Sequence, residues 1–230
     1  MATWQKPADQ PADELAPAER GEHWWPVALA IVIVAVLHVA LPARYRIQPG
    51  WVVPVVLLGL LAVLIAGDPG RIDRQKPWLR LILGITIAFI TVATMLAAVR
   101  LVADILTNNK LFANHPGGLL AAGAQVWATT IIAFGLWYWD LDRGGAAARA
   151  HHPDRNPAFV FPEMLHHDYV PATWVPKFVD YLSLAFWTAT AISPTDISAI
   201  KPWAKLLMML EAACSIVLVA LVIARAINVL

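Results

Sequence analysis

The sequence predicts an all-α membrane protein of about five transmembrane helices, with one short re-entrant, pore-like helix before the last span. Three observations carry this. The chain is 59% hydrophobic and only 14% charged, whereas soluble domains carry roughly 25% charged residues, so much of its surface has no need of water. Long apolar runs recur between short polar turns. Trp24, Trp25, Trp51, Trp78, Trp137, Trp139 and Trp203 sit beside those runs, where membrane-interface belts place tryptophan.

Residues 1–23 are polar, Pro/Ala-rich and acidic, and read as a disordered tail. Span one is Trp24 to about Leu41, followed by Arg44 and Arg46. Span two is Trp51 to Ala66. Its Pro54 falls in the first turn, where a missing N–H costs little, and Gly67-Asp68-Pro69-Gly70 stops it. Span three starts near Trp78, is apolar to Val99, and extends as helix through Arg100 and Asp104, whose i, i+4 spacing allows a pair. Span four is Gly117 to Trp139, closed by Asp140-Leu141-Asp142-Arg143-Gly144-Gly145. The polar segment Arg143 to Pro176, with prolines at 153, 157, 162, 171 and 176, argues against a regular domain. Three regions result: a tail (1–23), N-terminal transmembrane helices (24–116) and a pore-like module (117–230).

That module holds a short apolar helix from Lys177 to about Thr190, a polar turn, and a long apolar helix from Pro202 to Asn228. The short helix reaches ~20 Å at 1.5 Å per residue, too little for a hydrocarbon core of about 30 Å. Half a span, a turn and a full span is the plan of a re-entrant loop. The same turn also fits a helix start, with Ser193 as N-cap, Pro194 at N1 and Asp196 at N3. Five spans and a half-span put the termini on opposite sides. The acidic tail and Arg44/Arg46 favour an outside N-terminus by the positive-inside rule, while Arg71, Arg74 and Lys76 in the second loop dissent.

Trp187-Thr188-Ala189-Thr190-Ala191-Ile192-Ser193-Pro194-Thr195-Asp196 resembles the pore helix and filter of the two-span potassium-channel module, T-x-T-T-V-G-Y-G-D. By that resemblance Thr190 matches a filter-entry threonine, Ile192 the valine and Asp196 the aspartate, and an oligomer, a tetramer, is implied. Ser193-Pro194-Thr195 replaces G-Y-G, however. Residues with a side chain resist the filter's backbone angles at about 1–2 kcal/mol each, and proline fixes its own φ, so a normal potassium filter is not expected. More broadly, Leu136-Trp137-Tyr138-Trp139-Asp140-Leu141-Asp142-Arg143-Gly144-Gly145, Phe161-Pro162, Asp180-Tyr181-Leu182, Ser193-Pro194-Thr195-Asp196, Ala204-Lys205-Leu206-Leu207-Met208-Met209 and Ala224-Arg225-Ala226-Ile227-Asn228 resemble an uncharacterised family of small prokaryotic multi-pass membrane proteins. That resemblance implies membrane location and a channel-like character, without an activity.

The function expected is an ion-channel-like, homo-oligomeric protein of the cell inner membrane. Its candidate ion pathway is Thr188, Thr190, Ile192, Ser193, Pro194, Thr195, Asp196 and Glu211, with the lipid bilayer as partner and a monovalent cation as the passing species. The alternatives are a non-conducting structural or partner-binding scaffold and a small-solute or proton transporter. Glu211, about nine residues into the last span, either lines such a path or makes an interhelical hydrogen bond, with Gln125, Thr129 and Thr130 as candidate partners. His151, His152, His166 and His167 show no chelating spacing, so no metal is expected. No G-x-S-x-G, phosphate loop or H-E-x-x-H occurs, so neither an enzyme nor a cofactor is expected. A net charge of +1 gives no reason to expect nucleic acid, and the lone Cys214 permits no intrachain disulfide.

Overall fold

The computed structural model describes residues 21–72, 76–107, 116–152, 155–165, 170, 174–190 and 196–229. The helices are α1 (Trp25–Ala40), α2 (Val52–Gly67), α3 (Pro77–Leu106), α4 (Pro116–Leu141), α5 (Ala146–His151), α6 (Phe178–Thr190) and α7 (Pro202–Val229). Four two-residue strands join them: β1 (Glu22–His23) with β2 (Arg71–Ile72), and β3 (Phe159–Val160) with β4 (Ser198–Ala199), both pairs antiparallel. Proline opens α3, α4 and α7, where its missing N–H has no intrahelical partner to lose. Helices α3, α4 and α7 are long and apolar enough to cross a membrane, and α1 and α2 are shorter apolar helices.

The helices share two ends. Both strand pairs lie at one, here the strand face, and the tight cluster of Leu41, Tyr45, Leu101, Leu119, Leu218 and Val222 marks the other, the far face. Helix α1 starts at the strand face, where the Trp24 Nε1–H donates to the Asp68 carbonyl at 2.7 Å, and ends in the far cluster. Helix α2 returns, and α3 runs out again until Asp104 meets Arg44 beyond α1. This last contact corrects an expectation: Asp104 pairs with Arg44 instead of Arg100, whose guanidinium donates to the Arg46 carbonyl at 2.9 Å. Both arginines thereby tie the first loop to the end of α3, which a local pair would not do.

Helix α4 is the axis. Of the most apolar window in its helical run, 61% is buried, against 39% in α3 and 22% in α7, so α7 leaves most of its surface for other contacts. Its exposed Leu206, Met209, Leu210, Ile216 and Ile227 form the kind of apolar surface that faces lipid, and the apolar helices imply contact with a bilayer. Polar groups bridge helices, as the Trp137 Nε1–H of α4 donates to the Thr91 hydroxyl of α3 at 2.9 Å.

The registers on α4 place the short helix. The Trp139 and Phe178 rings lie 6.0 Å apart, and so do those of Trp127 and Phe186. Helix α6 therefore runs antiparallel along α4, from its strand-face end to about its middle. Between them, a Cβ on Gly135 would stand 3.2 Å from the Leu182 Cα, so glycine permits the close approach. Helix α7 is also antiparallel to α4, with Glu211 against Tyr138 and Val222 against Gly123.

Two expectations need correcting. The tail 1–23 is not wholly unstructured: residues 1–20 lie outside the described residues, but Glu22–His23 pair with Arg71–Ile72. The Glu22 carboxylate accepts from the Trp139 Nε1–H at 2.8 Å and the Phe178 N–H at 2.7 Å, strapping the N-terminus over α4 and α6. The segment after α4 is also more ordered than its prolines suggest, holding α5, β3 and a 3-10 turn at Pro162–Met164. Of its prolines, Pro157 precedes β3, Pro162 opens the 3-10 turn and Pro176 precedes α6, where no ladder hydrogen bond is lost.

Gly135→Ala pushes a Cβ against the Leu182 backbone, whereas nothing lies within 4 Å of one on Gly84. Alanine gains roughly 1 kcal/mol of helix propensity over glycine, while overpacking costs about 1–3 kcal/mol. Thermal unfolding in detergent should therefore show Gly84→Ala neutral or stabilised and Gly135→Ala less stable than Gly84→Ala. Burial raises the Glu22 pKa, against the lowering by its two hydrogen bonds. The folded state then holds more protons than the unfolded above the ordinary pKa of 4.5, so stability falls as pH rises from there through the raised value. Melting temperatures across that range should decline for the native chain and flatten in Glu22→Gln.

Candidate functional site: a buried acid and the short helix beside it

Glu211 is fully buried on α7 and its Oε2 accepts from the Tyr138 hydroxyl of α4 at 2.5 Å. Among the described residues its Oε1 has no hydrogen-bond partner, nor does the buried hydroxyl of Ser215 one turn on. A carboxyl inside an apolar helix bundle is costly and normally faces the protein interior or water. Glu211 takes the interior: it faces α4, while Leu206, Met209 and Leu210 take the outward side of α7. The arrangement can hold a proton or orient a small polar guest, and the side-chain hydrogen bond it makes among the described residues is interhelical.

The partners expected for Glu211 are overturned. Gln125 and Thr129 line a separate cleft with His38 and Thr94, between α1, α3 and α4. The physical reason is helical phase: Gln125 and Tyr138 are thirteen positions apart, and at roughly 100° per residue they point to opposite sides of α4. Thr130 donates to its own helix at the Val126 carbonyl, 2.9 Å. In the separate cleft the Thr94 and Thr129 hydroxyls donate to the Ile90 and Gln125 carbonyls at 2.8 Å. Only their lone pairs then face the space, beside His38 Nε2 and Gln125 Oε1, which have no hydrogen-bond partner among the described residues.

Of the other proposed pathway residues, Ile192, Ser193, Pro194 and Thr195 lie outside the described residues. Thr188 donates to the Leu184 carbonyl at 2.8 Å and Thr190 to the Trp187 carbonyl at 2.9 Å, so both hydroxyls keep only acceptor capacity. Asp196 is exposed, two residues ahead of β4. The structure does not bring Glu211 to the end of α6. Phe186 is level with Trp127 while Glu211 is level with Tyr138, an offset of about 16 Å at 1.5 Å per residue along α4.

What sequence reasoning missed is the polar knot after α4. Asp142, fully buried, accepts from the Ala158 N–H and the Tyr181 hydroxyl, each at 2.6 Å. The Asp142 carbonyl accepts from Arg149 at 3.0 Å, which also reaches the Trp139 carbonyl and lies over the Trp139 and Tyr181 rings. Arg143 has φ +52 and Gly144 and Gly145 follow at +92 and +93. Two glycines thus accept left-handed angles that reverse the chain without a Cβ penalty. A D-x-D-R-G-G run closing an apolar helix is the visible signal. His151 and His152 are exposed, His166 and His167 lie outside the described residues, and among the described residues no group of three His, Cys, Asp or Glu could hold a metal ion.

No protein-family model, curated protein or solved structure matches the chain. Its sequence and geometry define an α-helical membrane protein of multi-pass type by helix length and hydropathy.

Tyr138→Phe removes the one side-chain hydrogen bond that Glu211 makes among the described residues and leaves its buried carboxyl without it. Interhelical hydrogen bonds in membranes are worth about 0.6–2 kcal/mol, and stability should drop by that order in a detergent unfolding assay. Glu211→Gln keeps an acceptor for Tyr138 and should lose less.

Proposed function

We propose that the chain is an ion-channel-like integral membrane protein in which α6 is a re-entrant half-helix and several copies surround the pathway. One observation carries the reading. Helix α6 leaves the strand face beside Trp139 and reaches the level of Trp127, and β4 then pairs with β3 back at the strand face. At thirteen residues the helix reaches about 20 Å, short of the roughly 30 Å of hydrocarbon. The carbonyls that end it near mid-depth are tolerable in a bilayer only against protein or water. That favours an assembly in which copies of this chain, four by the resemblance to the potassium-channel module, enclose a wet space.

In this reading α1, α2, α3, α4 and α7 are five crossings, the constriction involves Thr190 to Asp196, and exposed Asp196 draws monovalent cations to the mouth. Thr188 and Thr190 offer the path hydroxyl lone pairs. The absence of the filter glycines argues against potassium selectivity. Reconstituted in liposomes, the protein should pass monovalent cations, and Asp196→Asn should reduce the flux several-fold. A silent bilayer together with a monomeric mass would sink the proposal and leave a non-conducting scaffold.

Charge favours the reverse of the orientation expected from the first loop. Arg71, Lys76, Arg80, Arg155, Lys177, Lys201 and Lys205 gather toward the strand face, against Arg44, Arg46, Arg100 and Arg225 toward the far face. The positive-inside rule then makes the strand face cytoplasmic. In a Cys214→Ser background, Lys201→Cys should react with a membrane-impermeant maleimide in inverted vesicles only, and Trp187→Cys in neither orientation. Equal labelling of 187 and 201 would mean that α6 lies along the surface.

A second reading, a proton or small-solute transporter, draws support from Glu211 and Ser215, buried between helices with unpartnered oxygens. It is favoured over the channel if uptake follows a pH gradient and Glu211→Gln abolishes it while Asp196→Asn does not.

A further inference from the structure

We propose that the open cleft between the end of α4 and the start of α7 binds the phosphate-bearing headgroup of an anionic phospholipid. The cleft is open to solvent and is lined by Arg143, Arg155, Asn156 and Lys201, with Trp203 beside them. A fourth cation stands close: a Cβ on Gly144, which also lines the cleft, would lie 3.1 Å from Arg155 Nη1 and 3.8 Å from Arg80 Nη1. Arg155 is held there by donating to the Arg143 carbonyl at 3.4 Å. Four cations thus converge from α3, the turn after α4, the segment before β3 and the entry to α7.

Two acids stand near the cations among the described residues, and both are buried away from the cleft. Asp142 is fully buried and turned inward to Tyr181 and the Ala158 N–H, with Arg143 Nε 3.7 Å from its Oδ2. Asp140 is buried, and its charge is offset by Arg80 and Arg149. Among the described residues no acid lines the cleft. Guanidinium and ammonium groups in such an array match phosphate oxygens, arginine through paired N–H donors.

A lipid is favoured over a free anion by where the cleft sits. It opens at the ends of two apolar helices, the level at which headgroups lie, and the Trp203 ring packs 6.1 Å from Phe159 at its side. On α7, Leu206 and Leu210 follow Trp203 at i+3 and i+7 and are 65% and 54% exposed. They continue the same helix surface into the apolar region and offer a track for acyl chains. Basic pockets of this kind between membrane helices take acidic headgroups. The inference needs only the membrane setting and stands whether or not the protein conducts.

The test is native mass spectrometry of the purified full-length protein titrated with phosphatidylglycerol or phosphatidylcholine, repeated with Arg155→Gln/Lys201→Gln and with excess inorganic phosphate. Phosphatidylglycerol should bind in preference to phosphatidylcholine and resist phosphate. The double variant should bind it roughly tenfold more weakly or worse, while its circular dichroism and its melting temperature in phosphatidylcholine stay native. Equal binding of the two lipids, or undiminished preference in the double variant, overturns the proposal. Complete displacement by inorganic phosphate overturns the lipid and assigns the cleft to a free anion. If the double variant is misfolded, Arg80→Gln replaces it with the same expected loss, and undiminished preference there likewise overturns the proposal.

Discussion

The fold depends on one buried carboxylate. Asp142 ends α4 with both oxygens engaged, one by the Ala158 N–H and one by the Tyr181 hydroxyl. A buried acid in a largely apolar setting survives only when its lone pairs are satisfied. Once they are, α4, the segment leading to β3, and α6 are held in one geometry. Arg149 closes the knot from the other side through the Asp142 and Trp139 carbonyls. Two left-handed glycines let the chain turn back so that Arg149 can reach them. Breaking such a network by removing one partner leaves an uncompensated charge, which makes its members interdependent.

From that knot follows the placement of α6 along α4. Its first turns are pinned at the strand face by Tyr181 and by Glu22, which accepts from the Phe178 N–H. Further along, Leu182 packs against Gly135 and Phe186 against Trp127. Strand β4 must regain β3, and the Ile200 N–H must reach the Ala158 carbonyl at 2.8 Å, so the chain is tied at the strand face on both sides of the short helix. Glu211 sits beside this arrangement. It is near enough to the knot for the Tyr138 ring to lie 5.1 Å from Phe159, yet it is about three helical turns from the level of Phe186 on α6.

Helix positions were legible in the sequence because the signals are local. Pro77, Pro116 and Pro202 mark helix starts, and Gly67 to Gly70 marks a stop. The six apolar runs match α1, α2, α3, α4, α6 and α7 to within about two residues, the uncertainty of any helix end. Pairings were much less legible. Asp104 has Arg100 within one turn, yet meets Arg44 from another element. Gln125 and Tyr138 share a helix, and only rotation about its axis decides which of them meets α7. Glu22 read as part of a polar tail because nothing nearby in the chain reveals that Trp139 and the Phe178 backbone need an acceptor.

By itself the sequence determined the membrane class, the helix boundaries and the presence of a helix too short to span, since apolar run length and breaker residues are properties of consecutive positions. Only the tertiary structure decided that Asp142 is a junction and no mere helix end, that Glu211 faces Tyr138, and that Arg80, Arg143, Arg155 and Lys201 share one cleft. Those outcomes depend on the relative rotation and register of helices far apart in the chain. Register is set by small contacts such as Gly135 on Leu182 and by hydrogen bonds between distant residues, which local periodicity does not encode.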